Sequence, residues 1–199
     1  MKEVIENEKE KQLFIDLELA TFVVRSGGTL VYPTDTVWGI GCDATNEEAV
    51  EQVLELKKTE DSKALIVLVD SLDMAKEYLK KFPQVALNIL SDIKKPTTII
   101  YPGANNIAKN VIAEDGSIGI RITTNSFCKE LIKRIKKPIV STSANISGEP
   151  TPKKFNEINI DITYNADYVV RWGQDEDMES EPSAIIKILD NGETLNIRN

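Results

Sequence analysis

Thr34-Asp35-Thr36 sets two hydroxyls and a carboxylate directly after the run Thr29-Leu30-Val31-Tyr32-Pro33, and Val37-Trp38-Gly39-Ile40-Gly41-Cys42-Asp43 follows at once. Hydroxyls at a strand end can hold a small polar ligand, and glycines let backbone N–H groups approach it closely. The same text also reads as a strand, a proline turn and a second buried strand, because Gly-x-Gly without a full phosphate-loop pattern is weak. A second concentration of small polar groups runs from Ser141 to Pro152 and includes Ser143, Asn145 and Thr151. Its length and composition mark a binding loop rather than a connector. Lys57 closes a helical pattern, and Arg121 stands near the end of a strand-like one.

Composition narrows the chemistry. Histidine is absent, which excludes Ser-His-Asp and Cys-His catalysis and any histidine metal site. A general base must then be Asp, Glu, Lys, a substrate group or water. The two cysteines, Cys42 and Cys128, are far apart and in no metal-ligand spacing, so they read as reduced thiols of a cytoplasmic protein. Neither a signal peptide nor a membrane span is visible. The formal charge of −8 repels nucleic acid in bulk, so RNA binding needs a local basic patch. Lys129, Lys133, Arg134, Lys136 and Lys137 form a basic helix end that reads either as such a patch or as a solvated face.

The elements that must position these residues are legible from periodicity. Residues 1–9 read as a flexible segment ahead of a single domain over 10–199. Leu13, Phe14, Leu17, Ala20 and Val24 place one face on a helix from about Glu8 to Ser26. Asn46, Ser71 and Asn125 read as helix N-caps. The apolar run 64–69 has the length of a strand covered on both faces. Thr97 to Tyr101, Ser117 to Ile122 and Pro138 to Val140 read as further strands. After residue 140 the pattern is β-rich, with strands at 167–171, 184–189 and 194–198 and an acidic solvent loop over 174–182. Alternating helices and strands followed by such a tail predict an α/β or α+β fold with a mixed sheet. Ligands of open α/β sheets bind in polar loops at strand ends.

Four co-linear motifs resemble the YrdC/TsaC family of L-threonylcarbamoyladenylate synthases. They are Tyr32-Pro33-Thr34-Asp35-Thr36-x-Trp38-Gly39-x-Gly41-Cys42, then Leu56-Lys57, Ile118-Gly119-Ile120-Arg121, and Ser141-Thr142-Ser143-Ala144-Asn145-x-Ser147-Gly148. The resemblance implies the single-domain form, a twisted open sheet flanked by helices, and a large concave ligand cavity. It also implies a reaction in which L-threonine, bicarbonate and ATP, helped by Mg²⁺, give threonylcarbamoyl-AMP and pyrophosphate for modification of adenosine in tRNA.

Carried over by position, Thr36, Arg121, Ser141 and Ser183 become threonine contacts. Lys57, Ser117, Ser143, Asn145, Thr151 and Arg198 become ATP contacts, with Lys57 and Arg121 also catalytic. The partners implied are tRNA or the downstream threonylcarbamoyl transferase machinery, and no membrane. Where the family reads Lys-x-Arg, this chain has Lys57-Lys58-Thr59, so Lys58 or Lys63 is left to stand in for the arginine. That departure keeps two alternatives open, a YciO-like paralogue and a nucleotide- or RNA-binding module without turnover.

Overall fold

A computed structural model describes residues 2–59, 65–175 and 182–199, with side chains from Asn7 onward. Nine strands form one mixed sheet in the order β7-β1-β2-β6-β3-β5-β4-β8-β9. In chain order they are β1 Leu30–Tyr32, β2 Gly39–Gly41, β3 Ile66–Val69, β4 Thr97–Tyr101, β5 Ile118–Ile122, β6 Ile139–Ser143, β7 Tyr168–Val169, β8 Ala184–Ile188 and β9 Thr194–Arg198. The pairs β1–β7, β3–β5 and β4–β8 are parallel, and the rest are antiparallel. The expected mixed α/β sheet flanked by helices is the one observed.

The strands carry side chains into two cores, one on each face. Along β1, Leu30 and Tyr32 enter one core while Val31 enters the other, and in β3 Leu68 opposes Val67 and Val69 in the same way. This period of two is what the apolar run at 64–69 requires. Helices α1 (Lys2–Arg25) and α5 (Ser126–Ile135) cover the first face through Leu17, Ala20, Val24, Phe127, Leu131 and Ile132. Helix α2 (Glu47–Leu56) covers the second with Ala49, Val50, Val53 and Leu54. Asn46, Ser71 and Asn125 each accept a backbone N–H from the first turn of the following helix, as predicted.

Several expectations need correction. Helix α1 already begins at Lys2, ahead of Glu8, because charged residues with good helix propensity extend it into the segment expected to be flexible. Phe14 is 58% exposed and lies off the buried stripe; its ring sits under the Arg134 guanidinium, 5.8 Å from the charged carbon. The buried stripe instead encloses Asp16, whose carboxylate accepts the Tyr168 hydroxyl at 2.5 Å and the backbone N–H groups of Arg171 and Trp172 at 3.1 and 2.7 Å. The tail also contains the short helix α6 (Ile160–Asn165), capped by Asn159. Most of the expected acidic loop, residues 176–181, lies outside the described residues.

Candidate active site

Proline stops β1, and the turn that follows is built by one hydroxyl. Thr34 Oγ1 accepts the N–H groups of Thr36 and Val37 at 3.1 and 3.2 Å, and donates to the Val37 carbonyl at 2.7 Å. With its proton on Val37, Thr34 can only accept from Thr36 Oγ1, 3.0 Å away. Lone pairs of Thr36 remain for a ligand. The strand–turn–strand reading of this stretch is realised, and the turn leaves the Thr36 hydroxyl, which lines a cavity, with accepting capacity.

Both glycines make room for close strand packing, and Gly39 also lines the cavity. A Cβ on Gly41 would lie 1.9 Å from the Val140 carbonyl oxygen and 2.8 Å from the Tyr32 hydroxyl. That space is where the Tyr32 hydroxyl donates to the Val140 carbonyl at 3.0 Å. A Cβ on Gly39 would meet Thr34 Cγ2 at 3.1 Å and Ser141 Oγ at 3.2 Å. Gly39 thus keeps β2 from crowding two of the site's hydroxyl residues.

Strand β6 continues into the serine-rich stretch, so Ser141 and Ser143 are held by the sheet and not by a loose loop. They share a cavity of about 320 Å³ with Thr36, Arg121, Thr151, Ser183 and Arg198. Arg121 is 3% exposed. Its Nη2 lies 2.9 Å from Asp35 Oδ1, while its Nε is buried with no protein acceptor. Arg198 enters from β9, donating through Nε to the Ser183 carbonyl at 2.8 Å and through Nη2 to Ser183 Oγ at 3.4 Å. Ser183 Oγ is in turn 2.9 Å from Thr98 Oγ1. Burial first, and the nearby Arg121 charge second, lower the pKa of Arg198. Two guanidiniums that disfavour each other across a hydroxyl-lined cavity make a site for an anion.

Lys57 and Asn145 support this cavity from behind and do not line it. Lys57 is also 3% exposed, and its Nζ donates to the carbonyls of Ser143 and Asn145 at 2.7 and 2.8 Å. Burial pushes its pKa down to about 8. Asn145 Nδ2 donates to the carbonyls of Ile146 and Glu149 at 3.0 and 2.8 Å, which leaves Oδ1 buried and unpartnered. Ser117 faces an adjoining cavity of about 360 Å³, which meets the first at Ile66 and Ile185. Its hydroxyl donates to Asp115 Oδ1 at 2.6 Å.

Lys58 does not swing into the site. It closes α2 in a left-handed conformation, and its Nζ lies 3.0 Å from Asp161 Oδ2 on the surface. Lys63 lies outside the described residues. The basic end of α5 is partly neutralised, since Arg134 pairs with Glu18 and Glu130 and Lys137 with Asp43.

Sequence reading did not foresee the Asp35–Arg121 pair. The carboxylate was visible between two threonines, but the pairing depends on how β1 and β5 are placed in the sheet. The described residues lining the first cavity include no carboxylate, and no cluster of three or more metal-ligating side chains exists among the described residues. The described lining therefore offers hydrogen-bond donors, positive charge and shape, with no general base among those residues. No helix among the described residues is long and apolar enough to cross a membrane.

The family Sua5/YciO/YrdC, described as "Telomere recombination", matches residues 23–199. A Threonylcarbamoyl-AMP synthase of Stenotrophomonas maltophilia is 34% identical over 152 residues, covering 75% of this chain and 81% of that protein. Among solved structures, P. abyssi Sua5 complexed with L-threonine superposes with a TM-score of 0.82 at 24% identity. That match covers 92% of this chain and 53% of the other, so this chain spans about half the length of Sua5. E. coli YciO superposes with a TM-score of 0.79 at 22% identity, covering 92% and 88% of the two chains. Both superpositions bear on the fold.

Proposed function

This chain belongs to the Sua5/YciO/YrdC family, and on that premise we propose that it is a threonylcarbamoyl-AMP synthase. One observation carries the reading: a buried arginine, Arg121, lines a hydroxyl-rich cavity with one guanidinium nitrogen left without a protein acceptor. L-threonine places its carboxylate at Arg121, with Thr36, Ser141 and Ser183 around its polar groups. ATP lies along Ser143, Thr151 and Arg198 and extends toward Ser117, while Lys57 and Asn145 hold the 143–145 backbone in shape.

The chemistry suits a cavity whose described lining holds no base. Threonine's ammonium releases its proton to solvent, the free amine adds to the carbon of bicarbonate and water leaves, giving a carbamate. A carbamate oxygen then attacks the α-phosphorus of ATP, the bond to the bridging oxygen breaks, and pyrophosphate departs with the electron pair. The nucleophile is already an anion, so the protein contributes orientation and stabilisation of growing negative charge. Among the described residues, the hydroxyl and guanidinium lining supplies no carboxylate cage for a divalent cation. Mg²⁺ therefore belongs with the triphosphate, as part of the substrate.

The threonylcarbamoyl adenylate passes, in the cytoplasm, to machinery that transfers it to tRNA. With a charge of −8, this chain leaves the grip on RNA to that machinery. Incubation with ATP, bicarbonate and L-threonine should yield the adenylate and threonine-dependent pyrophosphate. A folded protein that releases no pyrophosphate in response to threonine overturns the reading and returns the chain to the paralogue or binding-module class.

A further inference from the structure

We infer that Asp35 is the positioning residue that presents Arg121 to its ligand, and that its charge biases the cavity toward an amino acid and away from a bare inorganic anion. The inference rests on the reading of this cavity as the threonine site. Asp35 Oδ1 lies 2.9 Å from Arg121 Nη2, and the two side chains are only 6% and 4% exposed. Its other oxygen, Oδ2, accepts the backbone N–H of Thr124 at 3.3 Å, just beyond the strand that carries Arg121. One carboxylate thus joins the turn after β1 to the exit of β5.

The Asp35–Arg121 contact is an ion pair without an aligned hydrogen bond, and because a guanidinium is planar and rigid, holding one terminal nitrogen restrains the whole fork. Nε is then left without an acceptor on a side chain that lines the cavity. Asp35 itself lines a separate recess with Thr97 and Thr124, not the cavity, so it acts through Arg121.

Charge gives Asp35 its second effect. Among the described residues, Arg198 is the other cation lining the cavity, and burial first, then the Arg121 charge, lowers its pKa. Asp35 offsets the Arg121 charge, which leaves the cavity suited to an amino acid with a single carboxylate. Without Asp35 the cavity presents two uncompensated guanidiniums, an arrangement that favours a dianion.

A double-mutant cycle on the full chain tests this, with wild type, Asp35→Asn, Arg121→Gln and the double variant titrated calorimetrically with L-threonine and with sulfate. Asp35→Asn should weaken threonine binding about 10-fold or more and tighten sulfate about threefold or more. In the Arg121→Gln background, the same change should no longer weaken threonine binding. Equal loss of threonine affinity in both backgrounds makes Asp35 merely structural and overturns the inference, as does an Asp35→Asn variant that binds both ligands like wild type.

Should Asp35→Asn fail to fold, Asp35→Glu keeps the charge and displaces the carboxylate by one methylene. It should weaken threonine and leave sulfate unchanged, and wild-type threonine affinity there overturns the positioning role. If wild type binds no threonine, the site reading fails on its own. The sulfate titrations then still decide whether Asp35 offsets Arg121.

Discussion

Arg121 and Lys57 are equally buried cations, each 3% exposed, and they live in opposite surroundings. Arg121 has a carboxylate beside it, keeps a buried Nε without an acceptor, and lines a cavity. Lys57 forms no ion pair among the described residues and turns its ammonium onto the backbone carbonyls of Ser143 and Asn145. Burial alone does not assign a charged residue to a ligand. What matters is which of its donors the protein has already engaged. By that measure Arg121 keeps donor capacity for a ligand, and Lys57 shapes the end of β6.

The largest expected effect is at Arg121. Removing one partner of a buried charge pair costs about 2–5 kcal/mol in comparable interfaces. Arg121→Ala should therefore lower kcat/KM for threonine by about 100-fold or more, while the ATP requirement moves by no more than about threefold. Steady-state pyrophosphate release over both substrate concentrations checks this. Equal losses for threonine and ATP would break the contrast, because Arg121 would then serve the cavity as a whole, as Lys57 does.

Lys57→Met should act through the backbone and reduce ATP affinity by about 10-fold, with a smaller change for threonine. The lysine also predicts a pH signature with two opposite arms. Burial takes its pKa from 10.5 to about 8. Between those values the unfolded chain holds the proton and the folded chain does not, so this group adds stability as pH rises from about 8 to 10.5. The melting temperature of wild type should gain on that of Lys57→Met across this window. ATP affinity of wild type should fall over the same window as the ammonium loses its charge. A melting difference that is flat with pH would mean the ammonium is better solvated than its burial implies.

Much of this contrast was legible in the sequence, for local reasons. Thr36, Arg121, Ser141 and Ser143 stand at strand ends that hydrophobic periodicity marks without knowledge of the fold. The caps at Asn46, Ser71 and Asn125 are equally local, since side chain and N–H lie within one turn. Asp16 and Asp35 were not legible, because each finds its partners from distant segments. A carboxylate on a helix face gives no sign that Tyr168, Arg171 and Trp172 will close over it. Lys57 falls between, marked as a site residue by resemblance, while its side-chain direction at a helix end depends on what packs beyond it.

A smaller effect should come from Thr59, which stands where the family reads arginine. Its N–H donates to the Leu54 carbonyl at 3.1 Å, just past the end of α2. Thr59→Arg adds a permanently charged, forked donor beside the site. If that donor acts in the transition state, kcat should rise about 10-fold with little change in threonine affinity. A folded variant with neither kcat nor ATP affinity improved would mean that this helix end directs residue 59 away from the triphosphate.

The smallest effect separates Lys58 from both cations. It follows Lys57 directly, yet it closes the helix and takes no part in the cavity. The Lys58 N–H donates to the Glu55 carbonyl at 2.9 Å and the Thr59 N–H to the Leu54 carbonyl at 3.1 Å. This double closure requires a left-handed residue between them, and Lys58 adopts it at φ 52°. A residue with a Cβ costs about 1–2 kcal/mol there relative to glycine. Lys58→Gly relieves that strain and gives up an exposed ion pair with Asp161 worth at most about 1 kcal/mol, along with some entropy in the unfolded chain. The strain should win narrowly, raising the melting temperature by about 2 °C for a chain of this size. Threonine-dependent turnover should stay within about twofold of wild type. A stabilised Lys58→Gly variant with sharply reduced turnover would return Lys58 to the site, and would show that the Asp161 pair is a resting position it leaves when the triphosphate binds.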